Sequence, residues 1–476
     1  MRLLFCCELY HPSVGGVQEV MRQLAERMVQ LGHQVTVATT RLMDRTFTEL
    51  NGVHIEGFAV TGNAVTGMRG ETERFCEFIL NADFDAILVK AAQQWTFDAL
   101  WPILHRIHAR KVLIPCGFSG LHRPSFKEYF RQMPQILRLF DHLIFYATEY
   151  RDIQYVRSHG MRNFSVIPNG ASEIEFALPC DQSFRLRHNI PEESFVFLTV
   201  GSLTGAKGHI EITKAFTRLN TGGKSVILIL NGNIPMPPRV VVGPDSIRSL
   251  SGGVSCEQLQ TNAMNFCTNG IVFVTQKTIK KGSRHATLVK EVLSERGLRG
   301  VWELTVNIIA RRLRKLPIPL MRNIPIDALS SLKYWIRKAN SQFPLKRVLL
   351  VDLPRPELIQ AYKNADLFVF ASNIEYSPLV LFESVAAGTP FLSVNVGNAE
   401  EIAEWTGGGI IYKAPRDKQG LTRANPHKLA TEMRKAMDSP EQLAELGRKG
   451  HDRWQESFTW AKIVLRYEKI LAGHYT

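Results

Sequence analysis

Arg2-Leu-Leu-Phe-Cys-Cys7, then Pro12, Ser13, Gly15 and Gly16, then the stretch from Val17 to Leu31, then Gln34-Val-Thr-Val-Ala-Thr39: these opening residues decide the fold. The first is a short apolar run, the pattern of a strand buried on both faces. Val17, Val20, Met21, Leu24, Met28 and Leu31 recur with a period near 3.6, which predicts a helix. Gly32 supplies the C′ residue that closes it. The second apolar run is another strand. Strand, turn, helix, strand is the core of a parallel sheet.

The alternation continues outward. Ala86–Val89, Val112–Ile114, His142–Phe145 and Phe164–Ile167 read as strands with helical stretches between them. The set closes near Pro168-Asn169-Gly170, and residues 177–192 lack periodicity and end at Pro191, which suits a linker. A second set opens with a strand at Phe195–Val200, a loop from Gly201 to Gly208, a helix from His209 to Leu219 and a strand at Val226–Leu230. It resumes with strands at Val348–Val351, Asp366–Phe370, Phe391–Val394 and Gly408–Tyr412, and with a helix running from Ser377 to Ala387. The expected architecture is α/β: two facing Rossmann-like, doubly wound parallel sheets with a cleft between them. The expected boundaries are a first domain over 1–178, a linker over 179–192, a second domain over 193–455 and a closing helix over 456–476. Ligands of such sheets bind at the carboxyl ends of the strands, so the cleft is the expected site.

Composition fits this scale. The 476 residues suffice for two or three domains, and 45% hydrophobic with 21% charged residues is ordinary for a folded chain, not a disordered one. No apolar run approaches the roughly 18 residues of a membrane span. The opening Met1–Glu8 is too short before its first acid for a signal peptide. Seven cysteines (Cys6, Cys7, Cys76, Cys116, Cys180, Cys256, Cys267) form no CxxC pair, which fits reduced thiols. A soluble, cytoplasmic protein is expected. The charge is uneven. Of the net +14, residues 233–347 hold 19 basic and 6 acidic groups, a net of +13 in about a quarter of the chain. That basic insertion in the second domain is either a solvated surface or a region that meets something acidic. Within it, Leu298, Val301, Trp302, Ile308, Ile309, Leu313 and Leu316 fall on one helical face, with Arg311, Arg312, Arg314 and Lys315 in the last turn. This is a core-packing helix with cations at its negative end, or an interfacial helix on anionic lipid at 298–316.

Two motifs carry chemistry. Glu375-Tyr-Ser-Pro-Leu-Val-Leu-Phe-Glu383 places two carboxylates across the passage from a loop into a helix. Amides around Ser377, Pro378, Leu379 and Val380 would lie at the helix start, where phosphate binds without a metal. Gly201-Ser-Leu-Thr-Gly-Ala-Lys-Gly208 lies between a strand and a helix. It is neither GxGxxG nor a P-loop. Its glycines, Gly201 first, allow close backbone approach beside Ser202, and Lys207 offers a point charge for a diphosphate.

On these residues the chain resembles the GT-B glycosyltransferases of family 4, which transfer a sugar from a nucleotide sugar with retention. Gly15-Gly16 is similar to that family's N-terminal glycine loop, Val166-Ile-Pro-Asn-Gly170 to the end of its first domain, Lys207-Gly208 to its donor-phosphate lysine, and Glu375 with Glu383 to its E-x7-E pair. Ala386–Pro390, Gly397–Glu401 and Phe458-Thr-Trp460 follow in the family's order. The resemblance covers most of the chain outside 233–347. It implies that Gly15 and Gly16 approach the donor, Lys207 neutralises the leaving group, Glu375 contacts the transferred sugar and Glu383 holds the ribose. It implies a UDP-, GDP- or ADP-linked sugar as co-substrate, no other cofactor and no metal. The sequence departs from the family at Ser202, where an arginine is common, and at Cys116-Gly117, where His-Gly is common; His122 is a loose substitute.

The acceptor is expected in the first domain, where Gln93, Gln94 and Trp95 follow a strand; Trp95 reads equally as packing. Asp83-Phe84-Asp85 reads as a polar strand start rather than a metal motif. The expected function is a retaining glycosyltransferase acting on a glycan or lipid-linked acceptor in cell-envelope polysaccharide synthesis, with peripheral contact to the inner membrane face. The alternatives are a catalytically weak or regulatory subunit of the same fold, or a nucleotide-sugar epimerase. A nucleic-acid partner is not expected, because the basic segment lacks recognised aromatic interleaving.

Overall fold

The computed structural model describes residues 1–235, 238–241 and 328–474. The helix expected at 298–316, Cys256 and Cys267 lie outside the described residues.

Strand β1 (Arg2–Cys6) pairs in parallel with β2 (Gln34–Thr40) and with β7 (Ala86–Lys90). Around it the first sheet runs β10-β9-β8-β7-β1-β2-β4-β3, with β8 at Arg110–Ile114, β9 at His142–Phe145 and β10 at Phe164–Val166. The short β3 (Glu49–Leu50) is the one antiparallel member, on β4 (Val53–Phe58). Sequence periodicity gave no strand between Thr39 and Ala86. In β4 the burial alternates instead, Val53, Ile55 and Phe58 buried against an exposed His54, so it reads as a half-solvated strand. A small ribbon, β5 (Val60–Thr61) with β6 (Arg69–Gly70), stands apart.

Alternation along the strands divides the core in two. Leu3 and Phe5 join one apolar cluster with Val20, Met21 and Leu24 of the helix Gly16–Gln30. Leu4 and Cys6 join a second cluster on the opposite face, with Phe75, Trp95 and Phe97. Helices cover both faces, as a parallel sheet requires.

The second sheet is wholly parallel, in the order β13-β12-β11-β14-β15-β16. Its strands are β11 (Phe195–Val200), β12 (Val226–Asn231), β13 (Lys346–Val351), β14 (Leu367–Phe370), β15 (Phe391–Val394) and β16 (Gly409–Tyr412). The helix Ala328–Asn340, at the end of the basic segment, leads into β13 as the crossover from β12. Residues 177–192 include a helix, Ser183–Arg187, whose Phe184 is fully buried in the second core.

The chain passes between the domains twice. The first passage follows Gly170, and the second follows Arg453. There Ala171 N donates to Phe458 O at 3.1 Å, and Trp454 Nε1 donates to Ala171 O at 3.3 Å. A Cβ on Gly170 would stand 2.2 Å from Phe458 O, so no side chain fits where the passages touch. The last helix, Trp460–Leu471, is capped by the Thr459 side chain. It sends Trp460, Ile463, Val464, Tyr467 and Leu471 into the first domain's core.

Candidate active site

Lys207 and Glu375 come from loops 168 residues apart in sequence. Their side chains meet, Nζ to Oε1, at 2.6 Å. The meeting follows from the sheet. Gly201–Gly208 leaves the carboxyl end of β11, the residues up to Pro378 leave that of β14, and these strands are neighbours. Gly208 adopts a left-handed φ of +73°, and a Cβ there would stand 1.9 Å from Ala371 O, so only glycine lets the two loops touch. Ser372 Oγ also donates to Glu375 Oε1, at 3.0 Å, while Oε2 accepts nothing among the described residues. Beneath Lys207, burial first of all pushes His209 down to about 4. Neutral at ordinary pH, it donates from Nε2 to Gly201 O at 3.0 Å. The Ser202 hydroxyl in this loop makes no hydrogen bond among the described residues.

The second acid lies one turn into the helix Leu379–Ala386, whose first amides, at Leu379 and Val380, have no intrahelical acceptor. Pro378 precedes them and has no N–H to give. Glu383 is 8% exposed and both its oxygens are engaged: Arg355 Nη2 lies 2.7 Å from Oε1, and the Tyr362 hydroxyl donates to Oε2 at 3.1 Å. Each acid of the pair thus carries a cation of its own. Gly16 faces this helix across the cleft, where an added Cβ would lie 3.8 Å from Leu379 Cδ1. Gly15 precedes it in extended backbone.

The first domain grips the loop between the acids. Tyr150 Oη donates to Glu375 O at 2.8 Å, Tyr146 N to the Tyr376 hydroxyl at 3.1 Å, and Asn169 Nδ2 to Ser377 O at 3.1 Å. Asn398 Nδ2 donates to Tyr146 O at 2.8 Å, and Glu401 accepts from Thr148 N at 2.6 Å. Tyr376 also bonds to Asp152, whose carboxyl burial pushes up to about 6. Asn169 and Tyr376 lie inside sequence motifs that assign neither of them a role. Arg355, Tyr362 and Tyr150 carried no motif at all.

The acceptor-side expectations divide. Trp95 is a correction: it is fully buried, donates from Nε1 to Thr40 Oγ1 at 2.8 Å, and stands edge-on to Phe75 at 5.0 Å. One turn of helix (Trp95–Asp98) carries it away from the cleft into the core. Gln93 ties the loops after β7 and β8 together, its Oε1 accepting from Gly120 N at 3.2 Å. Gln94 Oε1 is buried and has no hydrogen-bond partner among the described residues. Cys116, like Tyr376 and Leu379, packs against the first domain's core, and burial raises its thiol's pKa against the pull of Lys90. His122 is exposed and makes no hydrogen bond among the described residues. Glu8, which the motifs did not mark, sits half-buried after β1 with no hydrogen bond to its carboxylate among the described residues. Burial, and then Asp98, push it up to about 7. Asp83 and Asp85 bind Arg2, the first by an ion pair and the second by accepting its amide at 2.6 Å.

Two doubly wound, Rossmann-like domains whose strand-end loops meet define the GT-B class of fold. Residues 14–173 match the family profile described as Glycosyltransferase Family 4, and residues 348–453 match Glycosyl transferases group 1. The chain belongs to the GT-B glycosyltransferases of family 4, a family of transferase enzymes. It is 29% identical over 117 residues to a D-inositol 3-phosphate glycosyltransferase of Thermobispora bispora, covering 25% of each chain. It is 32% identical over 112 residues to a glycogen synthase of Mycobacterium tuberculosis, covering 24% of this chain and 25% of the other. These alignments span about a quarter of each curated relative. Among solved structures, Anabaena HepE in complex with UDP-glucose superposes with a TM-score of 0.60 at 14% identity, over 99% of this chain and 100% of that one, a likeness of fold. Among the described residues no helix is long and apolar enough to cross a membrane.

Proposed function

We propose that this chain is a retaining glycosyltransferase that moves a hexose from a nucleotide sugar to a glycan or lipid-linked acceptor, in cell-envelope polysaccharide synthesis. The observation that carries the reading is the 2.6 Å contact of Lys207 with Glu375 at the joined ends of β11 and β14. An arriving diphosphate takes Lys207 as its counter-ion, and the amides of Leu379 and Val380 face the same charge. Fixed donors of this kind stabilise a leaving group as its charge develops. The bond from the anomeric carbon to the phosphate oxygen breaks, and the acceptor hydroxyl bonds to that carbon on the same face. Its proton passes to the departing phosphate. Glu375, released from Lys207, accepts hydroxyls of the transferred sugar. The nucleotide sugar is the co-substrate and no further cofactor is invoked. HepE, whose structure holds UDP-glucose, supports a UDP-linked donor first, with GDP- and ADP-sugars as the other arms.

Thermal-shift measurements with UDP-, GDP- and ADP-sugars test the donor, since a ligand of the folded state raises the melting temperature by mass action. Transfer or donor hydrolysis that disappears in Glu375→Ala tests catalysis. No shift with any donor would sink the reading. A shift without turnover would favour a regulatory subunit, the alternative to which Ser202 points. Salt-sensitive sedimentation with anionic vesicles, lost when 298–316 is deleted, tests the membrane contact.

A further inference from the structure

Arg355 opens the helix Arg355–Lys363 directly after Pro354. Its guanidinium is shared between two carboxylates. Nη2 stands 2.7 Å from Glu383 Oε1 and 2.7 Å from Glu175 Oε2, and Nε reaches Glu175 Oε1 at 3.2 Å. The Phe176 ring lies beside it, 5.9 Å from the guanidinium carbon. Glu175 belongs to the helix Glu173–Phe176, just past the first passage between domains. One cation therefore joins the second acid of the pair to the domain junction.

We propose that Arg355 is the positioning residue for the donor's ribose: by bridging Glu383 to Glu175 it fixes the Glu383 carboxylate as an acceptor for ribose hydroxyls. The proposal rests on the glycosyltransferase reading and adds to it a residue that no motif marks. A carboxylate offers about four lone-pair sites. Arg355 and the Tyr362 hydroxyl take one on each oxygen, which leaves capacity on both for a diol. A guanidinium shared between two carboxylates adds geometric specificity as well as energy. The other groups around this pair do not supply it. Tyr362, on the same helix as Arg355, offers only a hydroxyl. Glu175 is acidic. From the helix Gly16–Gln30, Glu19 senses Arg355 and Arg22 senses Glu175. Among these groups Arg355 is the cation in contact with Glu383. Burial works against its charge and is outweighed by Glu383 and then Glu175.

Calorimetric titration tests this with UDP, GDP and ADP, and with the 2′,3′-dideoxy form of whichever binds, on the full chain. The wild type is expected to prefer the ribonucleotide by about tenfold or more, the size of a charge-assisted hydrogen bond. In Arg355→Gln the preference falls to within about twofold, with the dideoxy form bound as by the wild type. Arg355→Lys keeps the charge but cannot bridge both acids. It should bind the ribonucleotide at least about threefold more weakly, with the dideoxy form unaffected. An undiminished preference in Arg355→Gln overturns the proposal. If that variant does not fold, wild-type affinities for both nucleotides in Arg355→Lys overturn it. A wild type that binds a nucleotide without regard to its ribose overturns the proposal and leaves the glycosyltransferase reading standing. A wild type that binds none overturns both.

Discussion

The loops at the carboxyl ends of β11 and β14 and the loops at those of β7 and β8 are strand-end loops of the two parallel sheets, yet they are built differently. On the second-domain side, charges are paired between separate segments: Lys207 with Glu375 across the neighbouring β11 and β14, and Arg355, which follows β13, with Glu383. On the first-domain side the backbone carries the shape. Ala91, Gln93, Cys116 and Phe118, four of the six non-glycine residues with positive φ among those described, fall in these two loops. Strain of that kind persists where surrounding structure holds it and clusters at functional sites. Paired charges can be read from side chains at fixed spacing, whereas loop conformation is not revealed by spacing.

The largest effect that would break this contrast comes from Trp95→Ala. As a core residue it should cost about 3–5 kcal/mol in denaturant unfolding. A variant of native stability with weakened acceptor use would return Trp95 to the cleft. Next, Glu375→Ala and Lys207→Ala should each lower turnover about 100- to 1,000-fold with the melting temperature largely kept. A tenfold smaller loss would mean the paired charges are scaffolding. The third test concerns Glu8. Its folded value of about 7 lies above the ordinary 4.5, so the folded chain holds that proton more tightly than the unfolded one. The resulting stabilisation is complete below the ordinary value and is lost as pH rises toward 7. Glu8→Gln should therefore gain melting temperature over the wild type between about pH 5 and about pH 8. A constant difference would place Glu8 in contact with a cation. The smallest effect is expected at exposed His122, where alanine should change stability by less than about 0.5 kcal/mol and leave acceptor use unchanged.

Much of the fold was legible because buried parallel strands are apolar throughout. β1, β9, β11 and β15 stand where their runs of Leu, Phe, Val and Ile placed them. β4 escaped because its His54 and Glu56 face outward and interrupt the run. The E-x7-E pair and Lys207 were legible from order along the chain. Arg355 was not, because an arginine at a helix start has many uses and only the fold brings it 2.7 Å from Glu383. Trp95 was misleading for a similar reason. A residue just past a strand points either to the cleft or back under the sheet, and one helical turn decides which.

The touching crossings at Ala171 and Phe458 have a mechanical consequence. Two covalent tethers fastened side by side leave the halves of the molecule one easy freedom, a swing about the line through that fastening, while sliding and twisting are resisted. Atoms near the fastening then hardly move, whereas those farthest from it travel most. Tyr376 with its partners Tyr146 and Asp152 acts as a bolt on that door: opening must draw a buried hydroxyl out of its socket.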